Sequence, residues 1–378
     1  YLMTNGLGGY SSLTMTGSAA RNDHAFLMAC TKAPNNRYNM IHRLAEQLET
    51  GREVYTMSSQ EFADRSREKG YRYLTEFVYE DTPVWRFLIN GVEIEKEAAL
   101  KQDENTAAVC YRVTNRSGKD VRLTVTPFYQ FAPKGGGEEL NGTFRHLAGR
   151  MENGHLGLYY MTNGCVTEIP ETKEQYYYSY DACDGRKSTG SAEACHRISL
   201  DVESGGSSTL SVVFSVERDF AEEQTRSAVD VAESVIQEMK EGRKKLELQS
   251  GLCDETARFL VKSAHQFVSR RKSTGGKTIL AGFPFFEDWG RDTMIALPGV
   301  CLSTRQYEDA RSILRTFARY ERQGLMPNLF PEGKNEPRYN TADAALLFIN
   351  CVWLYYRASS DAAFIEEMYP VMERIITS

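Results

Sequence analysis

Residues 341–356 read TADAALLFINCVWLYY and form a helix-like stretch that is apolar nearly all round. From Ala344 to Leu354 the apolar side chains occupy every face of the predicted helix instead of one stripe. A helix that is apolar on all sides must be buried on all sides, whereas a helix with one apolar face has solvent behind it. This stretch therefore predicts an inner helix, surrounded by other helices.

The neighbouring segments alternate between helices with one apolar face and helices that are mostly apolar. Residues 254–270, 305–321 and 361–376 each predict a helix with one apolar face, and residues 292–302 predict a second, mostly apolar helix. The order outer, inner, outer, inner, outer predicts two concentric layers of helices, an α/α toroid. The alternative is an irregular helical domain with two central helices, and periodicity alone leaves both open.

The first part of the chain has the period of strands. β-rich runs occur at residues 71–79, 84–94, 107–113, 121–131, 156–162, 175–180, 197–202 and 209–216. Turn signals such as Asn90-Gly91, Asn153-Gly154 and Asn163-Gly164 lie among them, and Asn-Gly between β-rich runs favours hairpins. We expect an antiparallel β-sandwich over residues 1–218, a helical linker over 219–249, and a helical toroid over 250–378.

Composition excludes several classes of protein. The 378 residues are 41% hydrophobic and carry a net charge of −6, which argues against disorder and gives no reason to expect a nucleic-acid partner. No apolar run is long enough to span a bilayer. The eight cysteines form no C-x-x-C pair and the six histidines show no metal spacing. We therefore expect no metal, no cofactor, no disulfide framework and a cytoplasmic location.

A first cluster of chemistry-bearing residues lies at 283–293, which reads FPFFEDWGRDT. Aromatic faces beside carboxylates and a guanidinium suit a sugar, because C–H groups stack on rings while paired hydroxyls bind bidentate polar groups. The structural alternative is that Asp288 caps the following helix and Arg291 pairs with Glu287. We favour the cap for Asp288, and a binding site for Trp289, Arg291 and Asp292.

A second cluster spans PNLFPEG at 327–333 and RYNTAD at 338–343. Its candidate binding residues are Asn328, Glu332, Tyr339, Asn340 and Asp343. Asn340 and Asp343 also have the spacing of a helix N-cap and its N3 partner, so capping and binding stay open for Asp343. Glu332 lies in a Pro/Gly loop, where a surface role is an equal alternative. In a toroid the two inner helices run parallel, which would bring Asp292 and Asp343 to one rim.

The strings TNGLGGY (4–10), EDWGRDT (287–293), PNLFPEG (327–333) and YNTAD (339–343) resemble prokaryotic glycogen debranching enzymes of the amylo-α-1,6-glucosidase type. The resemblance implies an N-terminal β-sandwich, a C-terminal (α/α)6 catalytic barrel and hydrolysis of α-1,6-linked glucose at branch points. Residues 250–378 would then be the truncated first part of that barrel, an incomplete (α/α)6 toroid. It implies glycogen or a branched α-glucan as substrate. It also implies that Trp289, Arg291 and Asp292 hold the terminal glucose, with Tyr339, Asn340 and Asp343 lining the same subsite.

The chain departs from that family in two places. Residues 20–25 read ARNDHA where the family usually has a double arginine and Tyr-His-Gly. The stretches that carry the family's catalytic acid and base do not occur, so we expect both C-terminal to Ser378, an inverting mechanism in the intact enzyme, and no activity in this fragment. An incomplete ring predicts exposed apolar side chains on the inner helices, especially Leu346, Phe348 and Trp353.

Other functions remain open on sequence alone. A glucoamylase-like or trehalase-like α-glucosidase would use a similar toroid and a similar aromatic and Arg-Asp mouth. A non-catalytic carbohydrate-binding protein would account for the missing carboxylates. The sequence leaves the oligomeric state open.

Overall fold

The structure is a computed structural model, and it describes residues 1–136, 144–222, 226–330 and 336–378. The chain divides into two compact units. Unit 1 contains Tyr1–Asn5, Gly9–Ala29 and Arg37–Lys240, and unit 2 contains Gly6–Gly8, Cys30–Asn36 and Glu241–Ser378. Two short pieces of the N-terminal sequence therefore belong to the C-terminal unit.

Unit 1 is built mainly from strands. Its strands are β1 (Leu2–Thr4), β2 (Tyr10–Ser12), β3 (Ala25–Lys32), β4 (Asn36–Thr50), β5 (Glu53–Thr56), β6 (Ser59–Glu61), β7 (Arg67–Lys69), β8 (Leu74–Tyr79), β9 (Pro83–Ile89), β10 (Val92–Leu100), β11 (Thr106–Asn115), β12 (Val121–Pro133), β13 (Arg145–Leu147), β14 (Arg150–Asn153), β15 (Leu156–Thr162), β16 (Cys165–Tyr177), β17 (Thr189–Val202) and β18 (Ser207–Ser215). Helix α1 (Ser179–Cys183) and two 3-10 turns, Gly70–Arg72 and Phe220–Glu222, interrupt this series.

These strands form two large antiparallel sheets. One has the order β1-β2-β3-β4-β12-β17-β16, with β5 paired to β4, and the other has the order β13-β14-β15-β18-β11-β10-β9-β8. Apolar side chains from both sheets, such as Phe26 and Phe214, belong to one buried cluster. The predicted antiparallel architecture is thus present in this unit.

The turn signals explain part of this topology. At Asn90-Gly91 both residues have positive φ, +46° and +83°, and Ile89 pairs with Val92, as in a two-residue hairpin of the primed type. The predicted run at 84–94 is therefore two strands. Asn163-Gly164 joins β15 to β16, which lie in different sheets, so the hairpin expected there is wrong.

Several strands near the start of the chain were not predicted from the sequence, because their polar residues are buried. In β4, His42 and Arg43 are nearly inaccessible to solvent. Arg43 forms ion pairs with Glu68 at 2.6 Å and with Glu174 at 3.0 Å. Such internal pairing hides the alternation of apolar and polar residues that sequence reasoning requires.

Unit 2 is mainly helical. Its elements are the end of α2 (Ala228–Ser250), α3 (Glu255–His265), β19 (Val268–Arg271), β20 (Gly276–Ile279), β21 (Asp288–Trp289), α4 (Gly290–Leu297), a π-helical turn (Pro298–Leu302), α5 (Tyr307–Ala318), β22 (Leu329–Phe330), α6 (Asp343–Ser359) and α7 (Ala362–Thr377). A second buried cluster, which includes Met294, Phe317 and Phe348, holds these helices together.

The helices follow the predicted segments with shifted ends. The helix expected over 254–270 ends at His265, because Val268–Arg271 pairs as a strand with Gly276–Ile279. On α6, Leu346 is 65% exposed and Trp353 is 52% exposed, as expected, but the expectation for Phe348 is wrong because it is fully buried. No helix in the described ranges is both long and apolar enough to cross a membrane.

Candidate functional site

Two short strands bring the two chemistry-bearing clusters together. In β21 and β22, Asp288 pairs with Phe330 and Trp289 pairs with Leu329. The Gly290 N–H donates to the Asn328 carbonyl at 2.8 Å, where α4 begins. The start of α4 is thereby fixed beside the second cluster, although about forty residues separate them in the sequence.

Gly290 is required by this close approach. A Cβ at this position would lie 1.9 Å from the Pro327 carbonyl oxygen, a distance that no side chain tolerates. The glycine in the EDWGRDT string therefore has a backbone role, since only an α-hydrogen fits between the two segments.

An ion pair joins the starts of α4 and α6. Arg291 Nη1 lies 3.2 Å from Asp343 Oδ2, and about half of each side chain is exposed, 50% and 49%. Asp343 is the first residue of α6, whose N-cap is Ala342 with no side-chain cap. The capping alternative for Asn340 and Asp343 is therefore wrong, and Asp343 is available to bridge two helices.

Asp288 has a different environment from the one predicted. It is fully buried and accepts hydrogen bonds from Arg271 Nη1 at 2.5 Å and from the Thr278 hydroxyl at 2.7 Å. The N-cap of α4 is Trp289, which has no side-chain cap hydrogen bond, so the capping role favoured for Asp288 is wrong. Burial raises the pKa of the Asp288 carboxyl above its ordinary value, while Arg271 and Thr278 oppose that rise.

The remaining candidates of the second cluster are held by local contacts. Asn328 Nδ2 donates to Asn340 Oδ1 at 2.9 Å, and the Tyr339 hydroxyl donates to the Tyr320 carbonyl at 2.6 Å. Asn328 is buried, whereas Asn340 is exposed and Tyr339 is partly exposed. Asn340 and the ring of Tyr339 can therefore contact a ligand, while the Tyr339 hydroxyl is already engaged.

Asp292 and Trp289 complete the described part of the site. Asp292 lies in the first turn of α4, is exposed, and its side chain has no partner among the residues that the structure describes. Trp289 is partly exposed. Glu332, the last predicted binding residue, lies outside the described residues.

Sequence reasoning missed two residues that support the site through contacts with Asp288 and Phe330. Arg271 is buried, pairs with Asp288, and places its guanidinium 3.7 Å from the centre of the Phe330 ring. Asn35 is buried and donates from Nδ2 to the Phe330 carbonyl at 3.2 Å. No local pattern marks Arg271. The TNGLGGY string (4–10) was a usable sequence signal for the N-terminal residues that belong to unit 2. Within it, the Gly6 carbonyl accepts a hydrogen bond from the Arg270 N–H at 2.7 Å.

This arrangement suits an uncharged polyhydroxylated ligand. An aromatic ring, a guanidinium and two partly solvated carboxylates lie on adjacent elements, which is the chemistry that paired hydroxyls and C–H faces require. Among the described residues, no group of three or more His, Cys, Asp or Glu side chains is placed to hold a metal ion.

Family models match most of the chain. Residues 1–209 match the model described as "Glycogen debranching enzyme N terminal", and residues 262–378 match "Amylo-alpha-1,6-glucosidase". The chain belongs to the glycogen debranching enzyme family. The family resemblance read from the four motif strings is thus confirmed.

A curated member of this family is the glycogen debranching enzyme of Saccharomyces cerevisiae. It is 41% identical over 101 residues, which are 24% of this chain and 6% of the yeast protein. The chain therefore spans only a small fraction of that relative's length.

Solved structures resemble the chain at low sequence identity. A protein described as a kojibiose phosphorylase from the human microbiome is 9% identical, with a TM-score of 0.50 over 96% of this chain and 54% of that one. A bacterial glucoamylase complexed with acarbose is 12% identical, with a TM-score of 0.48 over 99% of this chain and 57% of that one. The chain spans about half the length of each.

Proposed function

We propose that this member of the glycogen debranching enzyme family is part of a glycoside hydrolase that cleaves α-1,6-linked glucose at branch points. In this proposal, unit 2 holds the terminal glucose of a branched α-glucan at the starts of α4 and α6. The observation that carries it is the half-exposed ion pair between Asp343 and Arg291, which is two residues along the chain from the partly exposed Trp289. The family membership supports the substrate class.

Each predicted residue then has a specific task. The Trp289 ring packs on the C–H face of the sugar, and Asp292 accepts hydrogen bonds from hydroxyls distal to the scissile bond. Arg291 donates to a hydroxyl oxygen while Asp343 accepts from the neighbouring hydroxyl. We assign supporting contacts to the remaining predicted residues, Asn328, Glu332, Tyr339 and Asn340.

Proton transfer requires other carboxylates. In an inverting glycosidase one carboxylic acid protonates the glycosidic oxygen, and a second carboxylate, about 6.5–9.5 Å away, activates water. A general acid is kept protonated by an apolar environment. Asp292 is exposed and Asp343 is paired with Arg291, so we assign both to binding. The proposal places the acid and base C-terminal to Ser378, and residues 1–378 alone are expected to bind but not to hydrolyse.

The test is steady-state kinetics of the full-length enzyme on a branched dextrin and on a linear maltodextrin. Asp292→Ala is expected to lower kcat/KM on the branched dextrin by about 10-fold to 100-fold, the loss of one charged hydrogen bond. Glu366→Ala, an exposed position on α7, serves as the control. Wild-type kinetics in Asp292→Ala, or a preference for the linear substrate, would overturn the proposal.

A further inference from the structure

A cavity lies entirely within unit 1. It has a volume of about 700 Å³ and is bounded by residues 146–150, by residues 159–162, by two side chains of β16 and by residues 219–221. Small-molecule sites commonly have volumes of about 300–1,000 Å³. The site proposed in unit 2 makes no use of this cavity.

The polar side chains of the cavity wall are held in place by their partners. Arg150 Nη2 lies 2.9 Å from Glu152 Oε1, and the Arg150 side chain is 39% exposed. His146 Nε2 lies 2.7 Å from the Tyr160 hydroxyl, and His146 Nδ1 lies 3.4 Å from Glu168 Oε1. Arg150 and Glu168 are therefore fixed side chains that still have exposed surface.

The charge of the wall disfavours an anionic ligand. Among the residues that the structure describes, one arginine, Arg150, and two carboxylates, Glu168 and Asp219, line the cavity. Arg150 is already paired with Glu152, and the Glu168 side chain is 81% exposed. A site with this balance has no net positive field to hold a phosphate or a carboxylate. The carboxylates instead offer acceptors for hydroxyl groups.

The apolar part of the wall suits the C–H faces of sugars. Tyr159, Tyr160 and Phe220 line the cavity. The Arg150 guanidinium lies 4.7 Å from the centre of the Tyr159 ring, which fixes both side chains. Aromatic rings beside hydrogen-bonding side chains bind carbohydrates through stacking and hydroxyl contacts together. The volume also exceeds what a single hexose fills.

We propose that this cavity is an accessory site for a short, uncharged α-glucan segment. The identity of the sugar rests on the proposed function, whereas the site consists of residues that the function in unit 2 does not use. A hydroxyl oxygen accepts from Arg150, and hydroxyl groups donate to Glu168 and Asp219. Engagement of a second chain segment would raise the effective concentration of the polymer at the enzyme.

Isothermal titration calorimetry measures the binding of two sugars to residues 1–378. Linear maltoheptaose reports on the accessory site, and panose, which carries an α-1,6-linked glucose, reports on the site in unit 2. Arg150→Gln is expected to weaken maltoheptaose binding at least 5-fold, and Arg122→Gln is the matched control, because Arg122 is also on a strand and paired, with Asp201 at 2.7 Å. Glu168→Gln changes a side chain that is 81% exposed, so it tests the cavity without threatening the fold.

Arg291→Ala separates this inference from the proposed function. It is expected to weaken panose binding and to leave maltoheptaose binding intact. If Arg291→Ala leaves panose binding unchanged while Arg150→Gln and Glu168→Gln remove maltoheptaose binding, the accessory site stands and the function proposed for unit 2 fails. If the two unit 1 variants bind maltoheptaose like the wild type, or if the cavity prefers glucose 6-phosphate, the accessory site is wrong.

Discussion

The Arg291–Asp343 pair combines a small effect on stability with a large expected effect on binding. Exposed ion pairs contribute less than about 1 kcal/mol to folding. Asp343→Ala should therefore lower the free energy of unfolding by no more than about 1 kcal/mol, yet weaken binding of panose, a trisaccharide with an α-1,6 link, by about 10-fold, since one charged hydrogen-bond acceptor is lost. Urea unfolding and calorimetric titration measure the two effects.

Arg315→Ala is the matched control for this prediction. Arg315 forms a similarly exposed pair with Glu367, which also joins two helices of unit 2. It should have the same small cost in stability and no effect on panose binding. Equal losses of binding in both variants would show that the Arg291–Asp343 pair acts only through the fold.

By contrast, substitution of Asp288 should have a large effect on stability. Its carboxylate is buried against Arg271, and removing one partner of a buried pair leaves the other charge uncompensated. Asp288→Asn is expected to lower the free energy of unfolding by about 3–5 kcal/mol. Arg271→Met combined with Asp288→Asn should recover much of that loss, and no recovery in the double variant would contradict the assignment.

Sequence reasoning placed the exposed Arg291 and Asp343 in two candidate clusters that the structure brings together, and it misread the buried Asp288. Trp289, Arg291 and Asp292 were predicted for binding, and the structure brings Arg291 to Asp343 of the second cluster. Asp288 was assigned to a cap because Asp before a helix is a common N-cap. Its partner Arg271 is 17 residues away in the sequence and on another element, so no local spacing could reveal the pair.

Gly290 allows the close contact between β21 and β22. Because a Cβ there would meet the Pro327 carbonyl at 1.9 Å, Gly290→Ala must separate β21 from β22. We expect a loss of at least about 1–3 kcal/mol in unfolding free energy, in the range of overpacking, and a loss of panose binding. Thermal unfolding and titration measure both.

Gly299→Ala is the control for this prediction. An added Cβ at Gly299 meets nothing within 4 Å, and the residue lies in the π-helical turn after α4. Alanine there should be neutral or stabilising by up to about 1 kcal/mol. If Gly290→Ala is as benign as Gly299→Ala, the close approach of the two clusters is wrong.

Helix periodicity predicted the later elements of unit 2 well. The segments 305–321, 341–356 and 361–376 correspond to α5, α6 and α7 with ends shifted by a few residues. The pattern of one apolar face predicted too long a helix over residues 254–270. Helix α3 ends at His265, and although Phe267 and Val268 keep the apolar spacing, the chain there enters the β19–β20 hairpin. Apolar spacing over one or two turns does not distinguish a strand from a helix end.

In the whole molecule, three buried histidines should make unit 1 sensitive to acid. Burial lowers the pKa of His24, His42 and His196 to about 3. An unfolded chain binds these protons near pH 6.5, so stability is full above that pH and falls as the pH drops toward 3. Each histidine should contribute a slope of about 1.4 kcal/mol per pH unit.

Urea unfolding at pH 7.5, 6.0 and 5.0 checks this, with Trp85 as the probe in a Trp289→Phe, Trp353→Phe background. The His42→Gln variant should lose about one third of the histidine contribution to the slope. His155→Gln, at an exposed position, should leave the slope unchanged. A flat dependence between pH 7.5 and 5.0 in the parent chain would contradict the burial of these rings.

The sequence predicted the division into a β-rich and a helical part because each has its own hydrophobic period. It did not predict that Gly6–Gly8 and Cys30–Asn36 belong to the helical unit. Their contacts, such as that between Asn35 and Phe330, join residues 295 positions apart. Contacts at that separation leave no trace in local periodicity.

The most direct test of the account is a crystal structure of residues 1–378 with panose. The account predicts that the α-1,6-linked glucose packs against Trp289, with its hydroxyls within hydrogen-bond distance of Asp292 and of the Arg291–Asp343 pair. Ordered panose bound elsewhere in unit 2, with water around Trp289 and Asp292, would contradict it.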